Sequence, residues 1–210
     1  SSDVCSSDLD CMGVEENLNY ILMSYSYWKE TGDQSFVSEN ILNRLEKYMD
    51  SVIARDSNGN GLPDTNAYYT TFDYDAGHSA IGNAKENTYI GVKTFGASRA
   101  LSEMCRVGGH IQKADRYYGN AVKVKDTLNA AYNNYGYLPV SLSADHPGWG
   151  DHTIVTFEGL IPFIVYGIED PLIDELLVVT APSLYYAFQH CSRTYGYSLV
   201  SSSDVSWLSK

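Results

Sequence analysis

Gly91 to Leu101 reads GVKTFGASRAL, a run in which Gly91, Gly96, Ala97, Ser98 and Ala100 keep the side-chain profile low. Residues this small let neighbouring chain approach the backbone from several directions, so the stretch predicts an inner, tightly packed helix. The helix is expected to run from about Ser79 to Arg106. On its N-terminal side, Val14, Leu18, Ile21, Leu22, Tyr25 and Trp28 keep helical spacing, as do Ile41, Leu45, Tyr48, Met49, Val52 and Ile53. Gly32 lies just past the first pattern, where a C-terminal cap is expected. On the other side, VGGH turns the chain into a fourth helix through Ile111, Ala114, Tyr118, Ala121, Val122 and Leu128. LPVSL reads as extended and SADHPGWGDH as loop. A fifth helix is expected over TIVTFEGLIPFIVYG, disturbed by Pro162, and a sixth from Pro171, a favourable first-turn proline, that meets Pro182.

These segments make three consecutive helical hairpins with long connections at alternate ends. No strand–helix alternation and no heptads are present, so the fold class is all-α. No sequence period repeats strongly, which argues against an ordinary helical solenoid. The favoured architecture is part of an (α/α)6 toroid, incomplete at both ends.

The chain has 210 residues and a formal charge of −12, with 26 acids against 14 bases. Phosphate-backbone binding needs a basic stripe, which is missing, so nucleic acid and anionic membrane surfaces are disfavoured partners. The longest apolar runs, such as GLIPFIVYGI, are too short to span a bilayer. Tyrosines outnumber phenylalanines 18 to 6. Rings with hydroxyls suit a groove that stacks on and hydrogen-bonds a neutral ligand, and equally suit amphipathic helix contacts. The opening residues 1–9, SSDVCSSDL, carry no periodicity and resemble a translated sequencing-adapter end, so they are set apart as a disordered artefact. Residues 10–210 form the remaining unit. Cys11, Cys105 and Cys191 are widely spaced and read as buried thiols. Nothing in the chain decides its localisation.

Two stretches carry candidate chemistry near one another. In DSNGNGLPD, Asp56, Asn58 and Asn60 alternate and Gly61 comes sixth, as in a calcium loop, but Ala67 stands where a bidentate Glu is needed. The same residues explain themselves as a turn ending the second helix, so no cofactor is expected, with a structural calcium as the alternative. In TTFDYDAGH, Asp73 and Asp75 sit beside Tyr69, Phe72 and Tyr74. Apolar neighbours and a nearby like charge are what raise a carboxyl's proton affinity for acid catalysis; helix capping is the competing role. Elsewhere Trp149, at a loop tip, suits stacking on a sugar ring or covering the core. Glu158 lies in an apolar segment where an acid must be paired or functional. Glu15, Glu16, Asn17 and Asn19 cluster at a helix start, where acids also favour the helix dipole. His146 and His152 lack metal-ligand spacing. Phosphate-loop and serine-elbow motifs are missing.

TTFD at Thr70–Asp73, followed by Gly82, Ala84, Lys85, Asn87, Tyr89 and Lys93, resembles the acid-bearing segment of glycoside hydrolase family 52, the β-xylosidases. MGVEENLNYIL with Glu15 and Asn19, FEGLIPF with Glu158, and YGYSLVSSSDVSWLSK with Trp207 are similar to further segments of that family, in the same order. A related acid-turn segment occurs in family 116 β-glucosidases. The resemblance implies the C-terminal half of an (α/α)6 toroid catalytic domain and retaining hydrolysis of a β-glycoside. Asp73 would be the general acid/base, or Asp75 if the alignment is ungapped. Glu15, Asn19, Tyr69, Trp149, Glu158 and Trp207 would bind substrate, a carbohydrate. The family's nucleophilic Glu has no counterpart here, so the segment alone is expected to be inactive. Two other readings stand beside it: an amidase of the glutaminase-like toroid families, and a non-catalytic helical sugar-binding or interaction module.

Overall fold

The computed structural model describes residues 13–64, 85–143, 150–194, 196–198 and 200–201. Helix α1 spans Gly13–Thr31 and buries Val14, Leu18, Ile21, Leu22, Tyr25 and Trp28, the face that the periodicity marks. Gly32 ends it with φ +66°, its N–H donating to the Trp28 carbonyl at 2.9 Å. A 3-10 turn at Gln34–Val37 leads into α2, Glu39–Ile53, which buries Leu42, Leu45, Met49 and Val52. Helices α3 (Thr88–Val107), α4 (Ile111–Tyr135), α5 (Ile161–Val165) and α6 (Pro171–Cys191) follow. Two short strands, β1 (Ser192–Arg193) and β2 (Gly196–Tyr197), pair antiparallel after α6. The described residues are therefore mostly helical, as the patterning predicts.

Helix α3 is the inner helix. Sixteen of its twenty residues are buried, and it packs against α1, α2, α4 and the 3-10 turn Glu158–Leu160. The low profile of GVKTFGASRAL is used most tightly at Gly96. A Cβ there would lie 2.0 Å from the Gly159 carbonyl oxygen, and a Cβ on Gly159 would lie 2.2 Å from the Val92 carbonyl oxygen. Two glycines thus let one backbone rest directly on another. Polar side chains reinforce the frame. Asp170 caps α6 by accepting the Leu172 N–H at 2.9 Å and pairs with Arg99 of α3. Glu103 accepts from the Tyr25 hydroxyl at 2.8 Å and pairs with Lys29, tying α3 to α1.

Three expectations need correction. Helix α3 begins at Thr88, so the part of its expected span at residues 85–87 is not helical; residues 79–84 lie outside the described set. Extended pairing wins there. The Thr88 N–H donates to the Val140 carbonyl at 3.0 Å and the Leu142 N–H to the Glu86 carbonyl at 3.1 Å, while Asn87 caps the helix. LPVSL is the extended partner. The expected fifth helix shrinks to the 3-10 turn Glu158–Leu160 and the five residues of α5. β-Branched Thr153, Ile154, Val155 and Thr156 disfavour helix, and Thr153 instead forms a bridge with Val200. Pro162 lies in the first turn of α5, so it starts that helix rather than disturbing it. Helix α6, conversely, runs through Pro182 to Cys191.

The chain after α6 is clamped to the loop at 151–153. His152 stacks on His190 with ring centroids 4.3 Å apart and planes 3° from parallel, and Tyr137 covers its other side at 4.1 Å. The His152 N–H donates to Ser201 Oγ and the Ser201 N–H returns to the His152 carbonyl, each at 3.0 Å. Burial first, and the neighbouring His190 second, hold the His152 imidazole below its ordinary pKa; Asp151 opposes them.

Two outcomes are expected. Gly96→Ala lowers stability by about 3 kcal/mol through backbone overlap, whereas Gly119→Ala, at an open helical position, raises it by roughly 0.5–1 kcal/mol; urea unfolding reads both. Because the unfolded chain takes up a proton at His152 more readily than the folded chain, stability falls as pH drops below about 6.5 and is present above it. His152→Phe, which keeps a ring in the stack, flattens that acid limb in unfolding curves collected across the window.

Candidate functional site

The most unusual chemistry in the core is a charged side chain on the inner helix. Lys93 is 4% exposed, and it stands beside Glu15, whose side chain is fully buried. An isolated ammonium in that position would be strongly unfavourable, so its partners matter. Lys93 Nζ lies 2.9 Å from Glu15 Oε1, 2.5 Å from the Tyr89 hydroxyl and 3.1 Å from Glu158 Oε2. The Tyr89 hydroxyl in turn lies 2.5 Å from Glu15 Oε1 and 3.0 Å from Glu158 Oε2, sharing its proton between two carboxylates. Burial, then the negative charges of Glu15 and Glu158, push the Tyr89 phenol far above its usual range, so it remains a donor.

Each member is placed by its element. Tyr89 and Lys93 are one turn apart on α3 and project from the same face. Glu15 sits in the first turn of α1. Glu158 opens the 3-10 turn whose next residue, Gly159, rests on the α3 backbone. That contact fixes where the Glu158 carboxylate meets Lys93.

Above this quartet lies a surface-open cavity of about 320 Å3, near the lower end of the ~300–1,000 Å3 range of small-ligand sites. One wall comes from a single face of α1, with Asn19, Leu22, Met23 and Ser26 at successive turns. The floor is Lys93 and Glu158, and the far side is Ile161 and Pro162. Ser26 Oγ donates to the Leu22 carbonyl at 2.9 Å. Asn19 and Glu158 both line the opening, and neither Glu158 Oε1 nor the Asn19 amide makes a hydrogen bond among the described residues. The rest of the lining is aliphatic. Such a surface suits a small ring with hydroxyls on its edges and C–H groups on its faces.

Three residues singled out from the sequence, Glu15, Asn19 and Glu158, therefore come together. Glu15 is more than a first-turn acid: it is an ion-pair partner beneath the cavity, while its neighbour Glu16 is exposed. Tyr69, Asp73, Asp75, Trp149 and Trp207 lie outside the described residues. Lys93 and Tyr89 were not among the candidate site residues. Their signal was present, since Lys93 is the lone charge between Asn87 and Arg99 in a segment too small-sided to be a solvated face.

The loop at Asp56, Asn58 and Asn60 is a hydrogen-bonded turn after α2. Asp56 accepts from the Asn60 N–H at 3.0 Å and the Gly61 N–H at 2.8 Å, Asn60 accepts from the Leu62 N–H at 2.8 Å, and both asparagine amides donate to Glu86. Among the described residues, no group of three or more His, Cys, Asp and Glu could hold a metal ion. Among the same residues, no helix is long and apolar enough to cross a membrane. Cys105 and Cys191 are free and buried, and burial lifts the Cys105 thiol to about 12. No known family's sequence model and no curated protein matches the chain.

Removing the ammonium alone leaves two carboxylates facing a phenol. Lys93→Met is expected to cost about 3–5 kcal/mol in chemical denaturation. Adding Glu15→Gln to it should recover a measurable part of the loss, which independent sites would not do.

Proposed function

We propose that this chain is part of a retaining glycoside hydrolase acting on β-xylosides or related β-glycosides, within an (α/α)6 toroid catalytic domain. The observation that supports the reading is that Asn19 and Glu158 line one cavity while Glu15, buried beneath it, pairs with the Lys93 that also lines it. Glu15, Asn19 and Glu158 come from two separate segments that resemble family 52, and the cavity's chemistry fits a neutral, hydroxyl-bearing ring. The inner-helix role of GVKTFGASRAL and the successive antiparallel packing of α3 and α4 are compatible with a toroid of hairpins.

In this reading Asp73 is the general acid. It protonates the glycosidic oxygen as the bond to the anomeric carbon breaks, and the carboxylate so formed then removes a proton from the attacking water. A second carboxylate supplies the nucleophile and forms the glycosyl–enzyme ester that water opens. The quartet around Lys93 does neither step. It fixes Glu158 so that one oxygen is held by Lys93 and Tyr89 and the other faces a sugar hydroxyl.

The test uses the full-length gene product that carries this segment, with aryl β-xyloside, aryl β-glucoside and glutamine as substrates. Hydrolysis of a glycoside is expected, with Asp73→Asn lowering kcat/KM by about 10²–10⁴ and Asp75→Asn leaving it within a few-fold. Turnover of glutamine alone would establish the amidase instead. Full glycosidase activity in Asp73→Asn would remove the assigned acid.

A further inference from the structure

We propose that the cavity between α1 and α5 selects its ligand by charge: it accepts a neutral or cationic hydroxyl-bearing ring and rejects the carboxylated counterpart. For sugars as ligand this rests on the reading above; the charge selectivity itself rests on the floor of the cavity.

That floor contains a cation, but its charge is already offset by two carboxylates. An ammonium has three N–H bonds, and Lys93 Nζ already has three oxygens within 3.1 Å, from Glu15, Tyr89 and Glu158. Its three side-chain partners include two carboxylates, so the quartet's formal charge is negative. Glu158, 22% exposed, lines the opening; its Oε2 is held by Tyr89 and Lys93, and its Oε1 makes no hydrogen bond among the described residues. A ligand hydroxyl or ammonium can donate to that oxygen. A ligand carboxylate has no proton to give and meets like charge instead. Asn19 does not reverse this preference, because its amide offers both a donor and an acceptor. The chain's overall charge of −12 adds a field of the same sign.

A matched ligand set isolates charge from shape: glucose, glucosamine and glucuronate share one ring and differ in one substituent. Titration of this chain at neutral pH, followed by ligand-observed NMR with competition, is expected to show glucose and glucosamine binding, with glucuronate at least about tenfold weaker. Glu158→Gln should narrow the glucuronate gap. If that variant does not fold, the wild-type ranking decides alone. Glucuronate binding as well as glucose would overturn the charge selectivity while leaving the sugar reading intact. If no sugar binds but a small polyhydroxylated amine such as Tris does, and gluconate does not, the sugar reading fails and the selectivity stands. Binding by no member of either set would overturn the proposal.

Discussion

The backbone contact between Gly96 and Gly159 is the constraint from which the site follows. With no Cβ on either side, α3 and the Glu158–Leu160 turn approach until carbonyl groups limit them. Glu158 is the residue next to that contact, so its carboxylate is delivered to the face of α3 that carries Tyr89 and Lys93. The turn also starts α5, whose Ile161 and Pro162 close one side of the cavity. A larger side chain at either glycine would push Glu158 away from its partner and open that wall. Fold and site thus share one close approach.

Burying Lys93 and Glu15 is unfavourable by itself, because both lose hydration that an ion pair only partly replaces. The arrangement is tolerated because Lys93 Nζ has three oxygen partners, with the Tyr89 hydroxyl joining both carboxylates. Apolar residues of similar volume would stabilise the core at least as well. The quartet is better understood as a device for orienting Glu158 than as a source of stability.

Much of the fold was legible because its signals are local. Helical spacing marked α1, α2 and α4, Gly32 marked an end, Pro171 a beginning, and the small residues of GVKTFGASRAL marked the inner position. The failures came where distant chain decides. The start of α3 is set by pairing with Val140 and Leu142 some fifty residues away, which no local propensity around Ser79 reports. The span TIVTFEGLIPFIVYG has an apolar pattern that suits a helix, but the Gly159 contact and the Thr153–Val200 bridge hold most of it in turns. The same division holds in the site. Glu158 was legible as a lone acid among apolar residues. The role of Glu15 was not, because a first-turn acid already has a local explanation and its true partner, Lys93, is 78 residues on. The asparagine-rich loop after α2 shows the converse, a motif whose residues are occupied by the turn itself.

Two buried thiols among the described residues offer a view of how this architecture comes apart. Cys105 lies near the end of the central helix and Cys191 at the end of α6; both are fully buried, and burial raises both thiols above their ordinary pKa. Alkylating reagents therefore reach them only through opening of the surrounding structure. Their separate modification rates act as built-in clocks, one reporting on the hub and one on the clamp beyond α6, so the order in which the two regions let go is recorded by native residues without any introduced label.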